Sequence, residues 1–252
     1  TSSARTEVWI RARLAILLVA ALAVGSPILA QDAPSQTLAQ ITPEIDALFA
    51  KYQADAHIPG MVYGVVKDGK LAYVKSIGVQ NLDDKSAVTA DSRFRIASMT
   101  KAFTALAILK LRDDGKLGLD DLAEDHVPEM KDWAYPTTDS PRIRVRDLLH
   151  HVGGLVTDDP WGDRQQILPQ DDFTKMIAAG VPFSRAPQSA FEYSNYGYAL
   201  LGRIIANASG MVYTDYIQRT ILTPLGMAGS GFDVTRTPKA VYARGYRWEN
   251  ER

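Results

Sequence analysis

Three stretches predict an α+β fold with an antiparallel sheet. Residues 61–67 and 70–76 are β-rich runs joined by Asp68-Gly69, a two-residue link that favours a hairpin. Residues 94–111 form a strongly apolar helical run, stopped by Arg112-Asp113-Asp114-Gly115. Beyond it the chain reads as helices and loops, with no second pair of strand-like runs.

At the N-terminus, Arg5, Arg11 and Arg13 precede the apolar residues 14–24, then Gly25-Ser26-Pro27 and Ala30. A basic region, a short apolar run, a helix breaker and a small residue before Gln31-Asp32 describe a secretory signal peptide over residues 1–30. The run is short for a membrane span, although an uncleaved anchor is the alternative. Bacterial export to the periplasm or beyond is expected, with no membrane association after cleavage. The 252 residues include no cysteine, which excludes a lipid-modified cysteine and a disulfide framework. A net charge of −1, with no basic run after the leader, gives no reason to expect a nucleic-acid partner. Oligomeric state leaves no signal. The chain begins with Thr1 rather than Met, from which a longer reading frame is expected.

Residues 31–252 suffice for one sizeable core or two intimately packed subdomains. The expected division is 41–95 for an N-terminal helix and the hairpin, and 96–235 for a helical region. Thr42-Pro43 predicts a helix start, with Ile45, Leu48, Phe49 and Tyr52 on one face. The hairpin that follows needs further strands or a covering helix, because two strands alone are marginal in water. In the central helix, residues 102–109 are apolar on nearly all sides, which predicts burial. Residues 145–150 predict a short helix stopped by Gly153-Gly154. Residues 197–208 predict an amphipathic helix ended by Gly210, and 213–221 another before Pro224. Residues 243–252 show no terminal element. Trp133, Tyr135 and Trp161 either line a cleft or pack under loops.

Chemistry concentrates at two places. Ser98 and Lys101 lie three residues apart at the start of the apolar helix, within reach of each other on one face. Partial desolvation there favours a neutral, proton-accepting amine, and a serine hydroxyl is a poor nucleophile without such a base. Backbone N–H groups at the helix start favour developing negative charge. The plainer alternative makes Ser98 an N-cap and lets Lys101 snorkel outward. Tyr193-Ser194-Asn195, just before the 197–208 helix, is the only Y-x-N in the chain. Tyr193 can act as a base beside a cation such as Lys101, and Asn195 can hold both the lysine and a substrate amide. Here too a plainer alternative exists: Ser194 or Asn195 caps the helix and Tyr193 packs with a wet hydroxyl.

Ser98-Met99-Thr100-Lys101 followed by Tyr193-Ser194-Asn195 resembles the serine β-lactamase and penicillin-binding-protein superfamily. The Tyr-x-Asn form is similar to class C β-lactamases, D-alanyl-D-alanine carboxypeptidases and related esterases. Further likeness lies in Phe94-Arg95-Ile96-Ala97, Gly115-Lys116-Leu117, Asp147-Leu148-Leu149-His150 and Pro224-Leu225-Gly226-Met227. The resemblance runs from about residue 41 to the end. It implies a β-lactamase/transpeptidase-like fold, an antiparallel sheet flanked by helices beside a mostly helical subdomain. Two departures stand out. Where the family commonly has His-Thr-Ser-Gly-Leu, this chain has His150-His151-Val152-Gly153-Gly154-Leu155, which aligns on either histidine, and both are expected to be structural. The third motif, Lys-Thr-Gly or His-x-Gly on a strand, is missing, which implies a chain lacking its C-terminal sheet strands.

By resemblance the reaction is acyl transfer on a β-lactam, an ester or a D-amino-acid peptide. Ser98 would be the nucleophile, Lys101 and Tyr193 the proton carriers, and Asn195 the substrate-orienting residue. No cofactor or metal is implied. His57, His126, His150 and His151 lack metal-ligand spacing, no H-E-x-x-H occurs, and no G-x-S-x-G elbow suggests an α/β-hydrolase. The competing expectation is a non-catalytic binding module, or an inactive fragment, on the same scaffold.

Overall fold

A computed structural model describes residues 37–157 and 168–249. The expected leader and Trp161 lie outside the described residues. Two compact units divide at Ala56/His57.

The first unit contributes helix α1 (Leu38–Asp55), which starts earlier than Thr42-Pro43 suggests. Thr37 is its N-cap, and the Thr37 N–H donates to Gln40 Oε1 at 2.8 Å. This reciprocal Thr/Gln pair is a stronger start signal than Thr-Pro, and it leaves Pro43 inside the helix. Proline there supplies no N–H to the carbonyl of Ala39, while the Thr42 hydroxyl donates to Leu38 O at 2.7 Å. No residue of α1 is buried.

The second unit begins with the hairpin, β1 (Gly60–Lys67) and β2 (Lys70–Gly78), paired antiparallel from Gly60↔Gly78 to Lys67↔Lys70. Asp68 and Gly69 have φ of 52° and 71°, the left-handed pair that Asp-Gly adopts in a two-residue hairpin turn. Among the described residues the sheet has these two strands. Tyr63 is buried, while Val66 and Leu71 are 69% and 63% exposed, so much apolar sheet surface lies open. The loop after β2 is held by the end of the chain, a tie that sequence patterning does not foresee. Gln80 Nε2 donates to Ala240 O at 2.7 Å, Arg93 N–H to Val241 O at 2.6 Å and Ala243 N–H to Arg93 O at 3.0 Å.

The helical region contains α2 (Thr100–Asp113), α3 (Ala123–His126), α4 (Val145–Leu149), α5 (Gln170–Ala179), α6 (Asn195–Ser209) and α7 (Tyr213–Ile217). A π-helical turn, Gln218–Leu222, extends α7. Helix α6 is the hub: Leu200, Leu201, Ile204 and Ile205 are fully buried, and α2, α3, α4 and α7 all pack on it. Gly210 ends α6 at φ 70°, as its sequence predicts. The expectation that α2 is buried all round is corrected. Thr104, Ala107, Ile108 and Leu111 face the core, whereas Leu106 is 45% exposed. Helix α4 also stops before the glycines: His150 is its C-cap and His151 takes the left-handed conformation at φ 56°. Trp133 packs inside, its Nε1–H donating to Ile177 O at 2.7 Å on α5. Among the described residues no helix is long and apolar enough to cross a membrane.

Candidate active site

Ser98 lies in a 3-10 turn (Ala97–Met99) that leads directly into α2, two residues before its first residue Thr100. Ala97 immediately before it has φ 43°, a left-handed conformation costly for a residue with a Cβ. That bend presents Ser98 at the surface, while Lys101 in the first turn of α2 is half-buried beneath it.

The second contributor is the entry to α6. Ser194 is the N-cap in extended conformation (φ −136°, ψ 121°), and its Oγ accepts the Gly197 N–H at 3.1 Å. Successive side chains of an extended segment point to opposite sides. Ser194 therefore turns into the core, and Tyr193 and Asn195 both reach Lys101. The capping role and the site role are thus filled by different residues of one motif.

The four expected site residues meet. Lys101 Nζ donates to Ser98 Oγ at 3.1 Å, to Tyr193 OH at 2.6 Å and to Asn195 Oδ1 at 2.6 Å. Ser98 Oγ and Tyr193 OH share a hydrogen bond of 2.6 Å, which closes a triangle of serine, lysine and tyrosine. Lys101 Nζ also lies 4.7 Å and 5.5 Å from the ring centroids of Tyr193 and Tyr198. Burial, followed by the neighbouring Tyr193, pushes the Tyr198 phenol above its ordinary range. Tyr198 accordingly stays neutral and donates to Leu149 O at 3.1 Å.

The two histidines expected to be structural differ in where they point. His150 is exposed, but His151 stacks against the site, its ring centroid 4.7 Å from Tyr193, 4.9 Å from Tyr198 and 5.5 Å from Phe191. Its Nδ1 accepts the backbone N–H of Ser194 at 3.1 Å. The only sequence signal was a doubled histidine before two glycines, which does not say which ring turns inward.

Glu192 ties the motif to its surroundings. Its carboxylate accepts the Thr157 N–H at 3.0 Å and the Ser184 hydroxyl at 2.6 Å, and pairs with Arg185 at 2.9 Å. The Ser184 hydrogen bond, foremost, holds this carboxyl below the usual carboxylate range. Gly154 permits the close approach of these loops: a Cβ there would lie 2.4 Å from Arg185 O, and its φ is 72°. Among the described residues no three His, Asp or Glu side chains converge as a metal site.

A base network touching a surface hydroxyl can accept that hydroxyl's proton and return it to a leaving group. The family model for Beta-lactamase matches residues 45–252. Protein flp of Staphylococcus aureus (strain COL) is 36% identical over 207 residues, covering 81% of this chain and 41% of that protein. A penicillin-binding protein homologue from Pyrococcus abyssi, described as octameric, superposes with TM-score 0.69 at 30% identity, covering 83% of this chain and 49% of its own. A class C β-lactamase superposes with TM-score 0.71 at 29% identity, covering 82% and 54%. The chain therefore spans about half the length of these relatives or less.

Proposed function

The chain belongs to the Beta-lactamase family and has its β-lactamase/transpeptidase-like fold, and from that premise we propose an exported serine hydrolase acting by acyl transfer. The observation that carries the proposal is the closed triangle of Ser98, Lys101 and Tyr193.

In this reading Ser98 Oγ attacks the carbonyl carbon of a β-lactam, an ester or a D-amino-acid peptide. Its proton enters the Lys101–Tyr193 pair as the new C–O bond forms. Collapse of the tetrahedral intermediate breaks the bond to the leaving group, which takes up that proton. Water then attacks the acyl-enzyme by the same route in reverse, restoring the Ser98 hydroxyl. An ammonium has three donors, and Lys101 meets three oxygens, including Asn195 Oδ1. Lys101 as ammonium with Tyr193 as phenolate, and Lys101 as amine with Tyr193 as phenol, differ by one proton along a 2.6 Å hydrogen bond. The pair therefore serves as one base. Asn195 fixes the lysine and offers its amide to the substrate. Export is proposed on the leader-like residues 1–30.

The test is hydrolysis of a chromogenic β-lactam, an activated ester and a D-alanyl-D-alanine peptide by the full-length protein and by Ser98→Ala. Loss of turnover by roughly a thousandfold or more in the variant is expected, the scale of nucleophile removal in hydrolytic triads. A Ser98→Ala protein that still turns over its substrate removes Ser98 from the mechanism.

A further inference from the structure

Lys101, Tyr193 and Asn195 account for the reacting groups, but the backbone that presents the last two is held from behind by a titratable ring. His151 Nδ1 accepts the N–H of Ser194, the residue between Tyr193 and Asn195. Its ring lies against both Tyr193 and Tyr198. We infer that His151 is a positioning residue for acyl transfer: the neutral imidazole fixes the Tyr193-Ser194-Asn195 corner, and protonation releases it, setting an acidic limit on catalysis. This inference rests on the acyl-transfer reading of Ser98.

The argument is one of donors and acceptors. A neutral imidazole presents one lone pair, and the Ser194 contact requires that lone pair at Nδ1. When the ring is protonated both nitrogens are donors, so Nδ1–H would face the Ser194 N–H, and a buried donor would lose its partner. The corner must then shift, and displacement of a reacting group by about 1 Å can cost on the order of a hundredfold in rate. Among the described residues the groups around the ring are of mixed charge. From α2 comes Lys101, which approaches the same two tyrosine rings. The segment entering α6 contributes Tyr193 and Glu192, the latter lining one crevice with His151 and itself paired with Arg185, and α6 itself contributes Tyr198. Nearby are His150, the C-cap of α4, and Asp147 within it, the latter's carboxylate occupied by the Arg144 N–H and Gln188 Nε2. Histidine is the side chain whose charge changes most readily under mild conditions, so a pH profile of acylation reads this device.

Two substitutions separate the ring's roles. His151→Asn places Oδ1 where Nδ1 stood, suits the left-handed φ of 56°, and cannot titrate. His151→Phe keeps the aromatic contact and removes the acceptor. Acylation of Ser98 by a chromogenic β-lactam and by p-nitrophenyl acetate is followed from pH 4.5 to 9. The Asn variant should regain most of the plateau rate, within about threefold, while its acidic limb moves to lower pH or disappears. The Phe variant should be slower by about tenfold or more on the wild-type plateau, in line with loss of one buried hydrogen bond, and the gap should close at acid pH, where the wild-type ring has lost its acceptor too. An Asn variant with the wild-type acidic limb, or a Phe variant at the wild-type rate on the plateau, overturns the inference. Absence of any acylation in the wild type overturns instead the acyl-transfer reading beneath it.

Discussion

Ser98, Lys101 and Tyr193 each touch the other two, so the proton taken from Ser98 has no resting place that involves only one partner. Lys101→Ala and Tyr193→Phe should each slow acylation by roughly a hundredfold or more, the usual worth of positioned proton transfer. Because the two act as one base, the double variant should be little worse than the poorer single one, as is found when residues work as a unit. Stopped-flow acylation rates of the two single variants and the double variant check this. Multiplying losses would mean two independent carriers, and wild-type rates would remove both roles. All four residues of this candidate site are named by the sequence: S-x-x-K sets Ser98 beside Lys101 and Y-x-N sets Tyr193 near Asn195 locally, while the meeting of the two pairs is what the family resemblance implies. His151 is not legible in the same way. Its direction depends on a left-handed residue at the end of a five-residue helix, and nothing in His150-His151 marks which of the two takes it.

At the scale of elements, the loops behind Tyr193 are held by close backbone approach as much as by side chains. Gly154→Ala should lower stability by more than about 2 kcal/mol, because the residue needs a positive φ and its Cβ would collide with the Arg185 carbonyl. Thermal unfolding of the purified variant measures this, and an unaltered melting temperature would mean that the loop yields freely. The same loop carries Ser184 and Arg185, which hold Glu192, so the variant probes the support of Tyr193 from the far side. Sequence patterning placed the hairpin, α6 and the core of α2 well, since each has a local signature: Asp68-Gly69, the period of apolar residues to Ile205, and the charged stop after Leu111. It misplaced the start of α1, where the Thr37/Gln40 pair outcompetes Thr42-Pro43. Helix α5 was missed, its ten residues carrying Asp171, Asp172 and Lys175 on a face open to solvent.

Over the whole molecule, the helical region carries the buried core described around α6, while the hairpin leaves Val66 and Leu71 in water. The pinning of the loop after β2 by residues 240–244 joins positions some 150 residues apart, and no local pattern announces such a tie. The fold class follows from local signals; the long-range stitching does not. The central claim, that this architecture turns Ser98 into a nucleophile, is tested most directly by intact mass spectrometry of the full-length protein after brief exposure to a β-lactam or an activated ester, followed by peptide mapping. One acyl adduct per chain, on the peptide that contains Ser98, is the expected result. An unmodified protein, or an adduct on any other residue, would contradict the account.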